Sequence, residues 1–195
     1  YHDNPYFTMY ENTNALAKDR VIGNISATYD ITDDLSFMVR GGRDFFSEYR
    51  FIKRAFSTQR FPNGQYREDK INFSETNVDF LFNYAKQLNS DWYMNFNFGG
   101  NRMIQRNHFN SLMANKLLLP GIYSFNNADG PLVQRISRPE RQINSIYGFA
   151  QLGYKSLVYL DITGRNDWSS TLPEENNSYF YPSLSLSAVV SDILD

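Results

Sequence analysis

The sequence predicts an all-β chain: a segment of an antiparallel transmembrane β-barrel, with about seven up-and-down strands belonging to a larger barrel. Three observations predict it. Apolar and polar residues alternate with period 2 through several runs, the pattern of strands with one apolar and one polar face. Connections between the runs alternate short and long, which fits short turns at one end of a barrel and long loops at the other. No run of ~18 apolar residues occurs, so a transmembrane helix is excluded.

Residues 1–19 are polar and aromatic, with Pro5 and a cluster of Asn and Thr, and read as a loop. Residues 20–29 read as a strand with Val21, Gly23, Ile25, Ala27 and Tyr29 on one face. Asp30–Asp34 is a turn whose Asp and Thr side chains can bond their own backbone. In the return strand 35–45, Leu35, Phe37 and Val39 oppose Ser36, Met38 and Arg40. Residues 46–69 read as a long basic and aromatic loop, with a tight turn at Pro62-Asn63-Gly64. Alternation resumes at 71–85, where Val78, Phe80, Phe82 and Tyr84 oppose Asn77, Asp79, Leu81 and Asn83. After a short turn at 87–91, residues 92–102 set Trp92, Met94, Phe96 and Phe98 against Tyr93, Asn95, Asn97 and Asn101. Phenylalanine opposite asparagine suits a lipid wall with a wet lumen better than a soluble sheet.

Residues 103–142 form the longest stretch without alternation. They read as an ordered loop that packs on something, with a short helix around 111–118. The fifth strand, 143–154, has two competing registers; the one adopted puts Ile146, Gly148, Ala150, Leu152 and Tyr154 on the apolar face. Only Lys155-Ser156 separates it from 157–165, where Val158, Leu160, Ile162 and Gly164 oppose Tyr159, Asp161, Thr163 and Arg165. The polar loop 166–178 follows, then a seventh strand, 179–190, stopping at Ser191-Asp192.

Three short connections alternate with long ones at 46–69, 103–142 and 166–178, expected to be extracellular. Aromatic residues gather at the strand ends, as in the belts where rings sit at headgroup level. An open sheet edge in lipid leaves backbone groups unsatisfied, at several kcal/mol each. The strands are therefore expected to be one slice, 1–195, of a larger closed barrel. Tyr1 opens a polar segment with no leader-like apolar run, so an interior piece of a longer precursor is expected.

Net charge is -2, which gives no argument for a nucleic-acid partner. There is no cysteine, hence no disulfide or thiol chemistry. His2 and His108 have no partners at metal-ligand spacing, and Ser169-Ser170 beside Asp167 lacks a histidine base. No catalytic constellation and no cofactor site is found, so the expectation is not an enzyme. What remains is binding and conduction. Arg40, Asn95, Asn97, Asn101, Asp161, Thr163 and Arg165 are candidates to line a polar lumen. Tyr49, Phe51, Tyr66, Tyr123, Phe125 and Trp168 are candidate loop aromatics for stacking on a solute, although internal loop packing is favoured over direct contact.

The run YLDITGRNDWSSTLP followed by NNSYFYPSLSLS resembles the barrel signature of SusC/RagA-type TonB-dependent outer-membrane transporters. Its motif residues here are Gly164, Arg165, Asn166, Asp167, Trp168 and Ser169. NPYFTMYENTN with RVIGNISATYDITDDLSFMVRGGRD is similar to an earlier barrel segment of that family. The resemblance covers most of the chain and is weakest over 43–69. It implies a barrel of about 22 strands. It implies outer-membrane localisation, a SusD-like surface lipoprotein as lid, and uptake of oligosaccharide or oligopeptide driven through the TonB complex. It also implies a plug domain that none of these residues supplies. A passive porin or adhesin barrel is the first alternative, and a soluble β-rich glycan-binding module the second.

Overall fold

A computed structural model describes residues 2–190. Its elements are α1 (Pro5–Glu11), β1 (Asn14–Asp30), β2 (Leu35–Thr58), β3 (Phe61–Gln87), β4 (Trp92–Ala114), β5 (Val133–Ser137), β6 (Glu140–Tyr154), β7 (Val158–Ser169) and β8 (Ser178–Ala188). The strands make one antiparallel sheet in the order β1-β2-β3-β4-β6-β7-β8, with β5 also paired to β4. The expected stop at Ser191-Asp192 lies outside the described residues.

Eight strands stand where seven are expected, and Pro139 is the reason. β5 pairs with β4 from Phe109↔Ser137 to Met113↔Val133. Two residues further on, the Asn107 N–H donates to the Pro139 carbonyl at 3.1 Å, and Arg106 pairs with Glu140 at 3.0 Å. β5 and β6 are thus one stave, interrupted where proline has no N–H to give the ladder.

Four expectations are corrected. The loop expected over 1–19 holds α1, with Pro5 at the first turn and the Asn4 side chain accepting from the Tyr6 N–H, and β1 begins at Asn14. The stretch 46–69 is a hairpin: β2 and β3 run on until only Gln59-Arg60 separate them. Pro62-Asn63-Gly64 lies within β3, although Gly64 keeps a left-handed backbone at φ 70°. Within 103–142, β4 continues to Ala114, and 111–114 is strand instead of helix. Within 166–178, β7 holds to Ser169, leaving only 170–177 outside the strands, with one 3-10 turn at Glu174–Asn176. For the three strand extensions the shared cause is that strands without clean hydrophobic alternation leave no period-2 signal in sequence.

The described residues divide into two compact units. The first comprises 2–21, 44–74 and 106–140. It has a small core of Tyr66, Ala114 and Leu117, flanked by Phe56, Tyr123, Phe125 and Ala128. The segment 115–132 is ordered around Asn127, as an ordered packing loop requires. The Asn127 Nδ2 donates to the Leu119 and Ile122 carbonyls at 2.8 and 2.7 Å, and its Oδ1 accepts from the Leu119 N–H at 3.1 Å. A Cβ on Gly64 would meet the Arg54 carbonyl at 3.0 Å and Leu117 at 3.3 Å, so only glycine lets this core close.

The second unit comprises 22–43, 75–105 and 141–190. It holds the three short turns. The tightest, Lys155-Ser156, has φ 52° and 58°, with the Leu157 N–H donating to the Tyr154 carbonyl at 2.9 Å. Two consecutive left-handed residues, followed by Leu157 before Tyr154 pairs with Val158, close a three-residue connection.

Candidate solute-facing wall

Register assigns the faces of the second unit. Across β6, β7 and β8, Ala150 pairs with Ile162 and Ile162 with Leu184. Leu152 pairs with Leu160 and Leu160 with Leu186. Successive side chains point to opposite sides, so the rows between carry the other face. Those rows are Gln151–Asp161–Ser185, Phe149–Thr163–Ser183 and Tyr147–Arg165–Tyr181. Of the two β6 registers the sequence allows, the structure holds the one that puts Ile146 with Gly148, Ala150, Leu152 and Tyr154. Its apolar face is uncovered: Ile146 is 46 %, Ile162 48 % and Leu184 72 % exposed.

The polar face carries four hydrogen-bonded clusters. The Arg40 guanidinium reaches Asp79 through Nε at 3.2 Å and Nη2 at 2.9 Å, and Asp79 is buried. The Asn83 amide donates to Asn95 at 3.0 Å and Asn97 at 2.7 Å, and the Asn97 amide donates to Asn95 at 3.0 Å. Gln151 donates to Asp161 at 2.7 Å. Arg165 donates to Asp167 at 2.7 Å and to the Ser145 hydroxyl at 3.1 Å, with its guanidinium 5.9 Å from the Tyr147 ring centre. Gly99 ties these groups to one face: a Cβ there would stand 2.8 Å from the Tyr147 ring. Thr163 sits half-buried in β7, and Asn101 half-buried in β4 beyond Asn97.

The GRNDWS run is not a loop. Gly164 through Ser169 finish β7, with Arg165, Asp167 and Ser169 on one side and Gly164, Asn166 and Trp168 on the other. Trp168, expected among the loop aromatics, stands in a strand on the apolar face, opposite Ser178 and Asn144. The other aromatic candidates lie in the first unit. Tyr66, Tyr123 and Phe125 pack on one another, with Tyr66 centred 6.3 Å from Tyr123 and 5.1 Å from Phe125. Burial, then the Tyr66 hydroxyl donating to Glu68 at 2.6 Å, pushes the Tyr66 phenol up to about 12. Burial also raises the Tyr123 phenol, whose ring carries the Lys53 ammonium at 5.2 Å. Tyr49 is 40 % exposed and has Lys70 over its ring at 5.1 Å, and Phe51 is half-buried in β2. Internal packing therefore takes Tyr66, and Tyr49 keeps an open ring.

Sequence reasoning did not single out Ser145, Tyr147 and Gln151 as wall residues. Only register shows Ser145 opposite Asp167 and Gln151 opposite Asp161. Among the described residues no cluster of His, Asp or Glu could hold a metal ion.

No protein-family model matches the chain, and no curated protein matches it in sequence. Solved structures do match. The RagAB peptide importer in its closed-closed state superposes with TM-score 0.81 over 98% of this chain, at 17% identity. The RagAB peptide transporter gives 0.78 over 97% at 16% identity. The siderophore receptor PiuA from Acinetobacter baumannii gives 0.52 over 90% at 13% identity. This chain covers 22% of each RagAB chain and 30% of the siderophore receptor, so it spans about a fifth to a third of their length. The class is thereby defined: an antiparallel transmembrane β-barrel segment with the fold of TonB-dependent outer-membrane receptors. The particular likeness is to the barrel of the RagAB peptide importer, and it is a likeness of fold.

Proposed function

We propose that this chain is a wall segment of a SusC/RagA-like, TonB-dependent outer-membrane transporter. It takes up oligopeptides or glycans together with a SusD-like surface lipoprotein. One observation carries the reading: the second unit has an uncovered apolar face and, on its other face, clusters of paired polar side chains. In lipid every polar group must find its partner within the protein. A sheet with apolar side chains on the face toward lipid meets that demand and leaves the Arg, Asp and Asn of the other face to water. Arg40, Asn95, Asn97, Asn101, Asp161, Thr163 and Arg165 then line the lumen. The stretches 46–69, 103–142 and 166–178 carry the extracellular ends, where Tyr49 offers an open ring. Support for peptide cargo and a lipoprotein lid comes from the fold shared with the RagAB peptide importer.

The mechanism follows from the wall. Guanidinium, carboxylate and amide groups fixed by one another present oriented dipoles to a hydrated solute and need no reorganisation as it passes. The energy for uptake enters through the TonB complex, which contacts other parts of the transporter.

The test is uptake by cells carrying the full-length protein, with the proton-motive force intact and collapsed, using labelled oligopeptides and oligosaccharides in parallel. Uptake of one class that stops with the force, and a lipoprotein that co-purifies from the outer membrane, is the expected result. Uptake indifferent to the force would make the protein a passive porin. Recovery as a detergent-independent soluble protein would end the barrel reading.

A further inference from the structure

The tip of the β2–β3 hairpin and residues 2–12 frame a pocket of about 890 Å³, lying wholly in the first unit. That volume is in the range of small-molecule sites, ~300–1,000 Å³. Hydrogen bonds fix the frame. The Gln59 N–H donates to the Asp3 carboxylate at 3.0 and 3.3 Å, holding Asp3 against the turn. The Ala55 N–H donates to the Asn12 Oδ1 at 2.8 Å, and the Lys53 N–H to the Thr13 carbonyl at 2.9 Å, which carries the end of α1 onto β2. Ser57 has a left-handed backbone at φ 66°, and the Thr58 hydroxyl donates to the Ala55 carbonyl across it at 2.8 Å. A residue other than glycine keeps that conformation only where its surroundings over-determine it, so this end of the hairpin is a rigid support.

What the frame leaves open is donors. Among the described residues Arg60 makes no hydrogen bond or ion pair, and it lines the pocket. Arg54 uses only Nη1, donating to Asn14 at 3.1 Å and to the Lys53 carbonyl at 2.9 Å, so Nε and Nη2 remain. Asn12 accepts through Oδ1, and its Nδ2 has no partner among the described residues. Asp3 is the one carboxylate among the lining residues, and both its oxygens already accept from Gln59. Two guanidinium groups against one carboxylate leave an excess of positive charge. Other arginines of the first unit are answered: Arg20 by Asp44 at 2.6 Å, Arg67 by Asp69 at 3.0 Å and Arg106 by Glu140 at 3.0 Å. Phe61, half-buried, adds an apolar wall beside the cations.

We propose that this pocket binds a carboxylate of the incoming solute through Arg54 and Arg60. A guanidinium presents a planar fork of N–H groups that matches the two oxygens of a carboxylate. Asn12 supplies a neutral donor, and Phe61 an apolar contact for the carbon next to the charge. Two classes of solute carry such a group: an oligopeptide at its C-terminus, and an acidic oligosaccharide at a uronic acid. The site rests on the transporter reading, which puts the hairpin tip at the extracellular mouth, and goes beyond it in selecting anionic solutes.

The test is calorimetric binding to the full-length protein in detergent, with paired ligands. One pair is an oligopeptide of neutral residues with a free C-terminus and the same peptide amidated there. The other is an oligosaccharide ending in a uronic acid and its neutral counterpart. In at least one pair the carboxylate form should bind about tenfold tighter, and the pair that shows this names the solute class. Arg60→Gln should remove most of that preference, whereas a merely structural loss would weaken both members of the pair together. Arg60→Lys keeps the charge without the fork and should restore part of the preference. Heat-modifiable migration should persist in Arg60→Gln, since Arg60 has no partner to lose among the described residues. Asp3→Asn removes the like charge and should tighten carboxylate binding, a gain that misfolding does not produce. No preference in either pair, or a preference undiminished in folded Arg60→Gln, overturns the site. Uptake that depends on the proton-motive force but ignores the carboxylate overturns the site and leaves the transporter reading intact. A protein soluble without detergent that still prefers the carboxylate overturns the transporter reading and leaves the site.

Discussion

The two units invert one another. Every buried hydrophobic side chain among the described residues, Ala55, Tyr66, Ala114 and Leu117, lies in the first unit. In the second, the buried positions are Asp79, Gly99, Gly100, Ser145 and Gly153, while Ile25, Val78, Phe96, Ile162 and Leu184 are exposed. The first unit closes a small apolar core around Tyr66, Ala114 and Leu117, and buries Glu48 and Asp69 as well. Even its buried Glu48 is answered by Arg50 at 2.6 Å and Lys18 at 3.2 Å, and the Arg50 hydrogen bond leads in holding that carboxyl below the usual carboxylate range. The second is organised for hydrocarbon as its solvent.

The comparison can be broken most directly at the core of the first unit. Leu117 is 1 % exposed, so Leu117→Ala should cost about 2–5 kcal/mol of local stability. Hydrogen exchange should rise over 115–132 without loss of outer-membrane assembly; a variant that fails to assemble would show that the first unit is not separable. Next comes Ile162→Arg on the apolar face of the second unit. A cation on a lipid-facing strand costs ~2–4 kcal/mol near the midplane. Urea titration of folded protein in lipid should show that loss, whereas Leu118→Arg in the first unit, at 59 % exposure, should show almost none. Equal tolerance of both substitutions would abolish the inversion.

A pH titration sharpens the comparison from the other side. The Tyr66 phenol is raised from 10.0 to about 12 in the folded protein, so folding favours its protonated form. That contribution is fully present below pH 10 and is lost as pH rises through about 12. Exchange over 115–132 should therefore rise in that window, and Tyr66→Phe should remove the pH dependence while weakening the loop at neutral pH. A dependence retained in Tyr66→Phe would assign it elsewhere. The smallest effect is expected at the Lys155-Ser156 turn. Asn-Gly favours the same left-handed pair, so Lys155→Asn with Ser156→Gly should raise stability by roughly 0.5–1 kcal/mol. A loss instead would mean that Lys155, whose ammonium lies 5.4 Å from the Tyr154 ring, holds the turn through that contact.

How legible each part was follows from the same contrast. The second unit was read closely because its strands alternate: the faces of β6, β7 and β8 and the short turns stand as the sequence implied. The polar-face candidates Arg40, Asn95, Asn97, Asp161 and Arg165 each take a polar partner, in separate clusters. The first unit was read as loops. Its hairpins lack clean hydrophobic alternation, so nothing in 46–58 or 103–114 signals a strand. Internal packing of Tyr66 and Tyr123 was the favoured expectation, but a local sequence does not show which residues, some 57 positions apart, will meet.

By itself the sequence determined the class of structure and the two chemistries of the wall, since a period of 2 places side chains on faces without any knowledge of partners. Tertiary structure alone decided what touches what. It set Ser145 opposite Asp167, lined up Gly148, Gly164 and Pro182, joined β5 and β6 across Pro139, and wrapped a loop around Asn127. Those depend on register and on contacts between distant residues, which a one-residue slip of any strand would have rearranged completely.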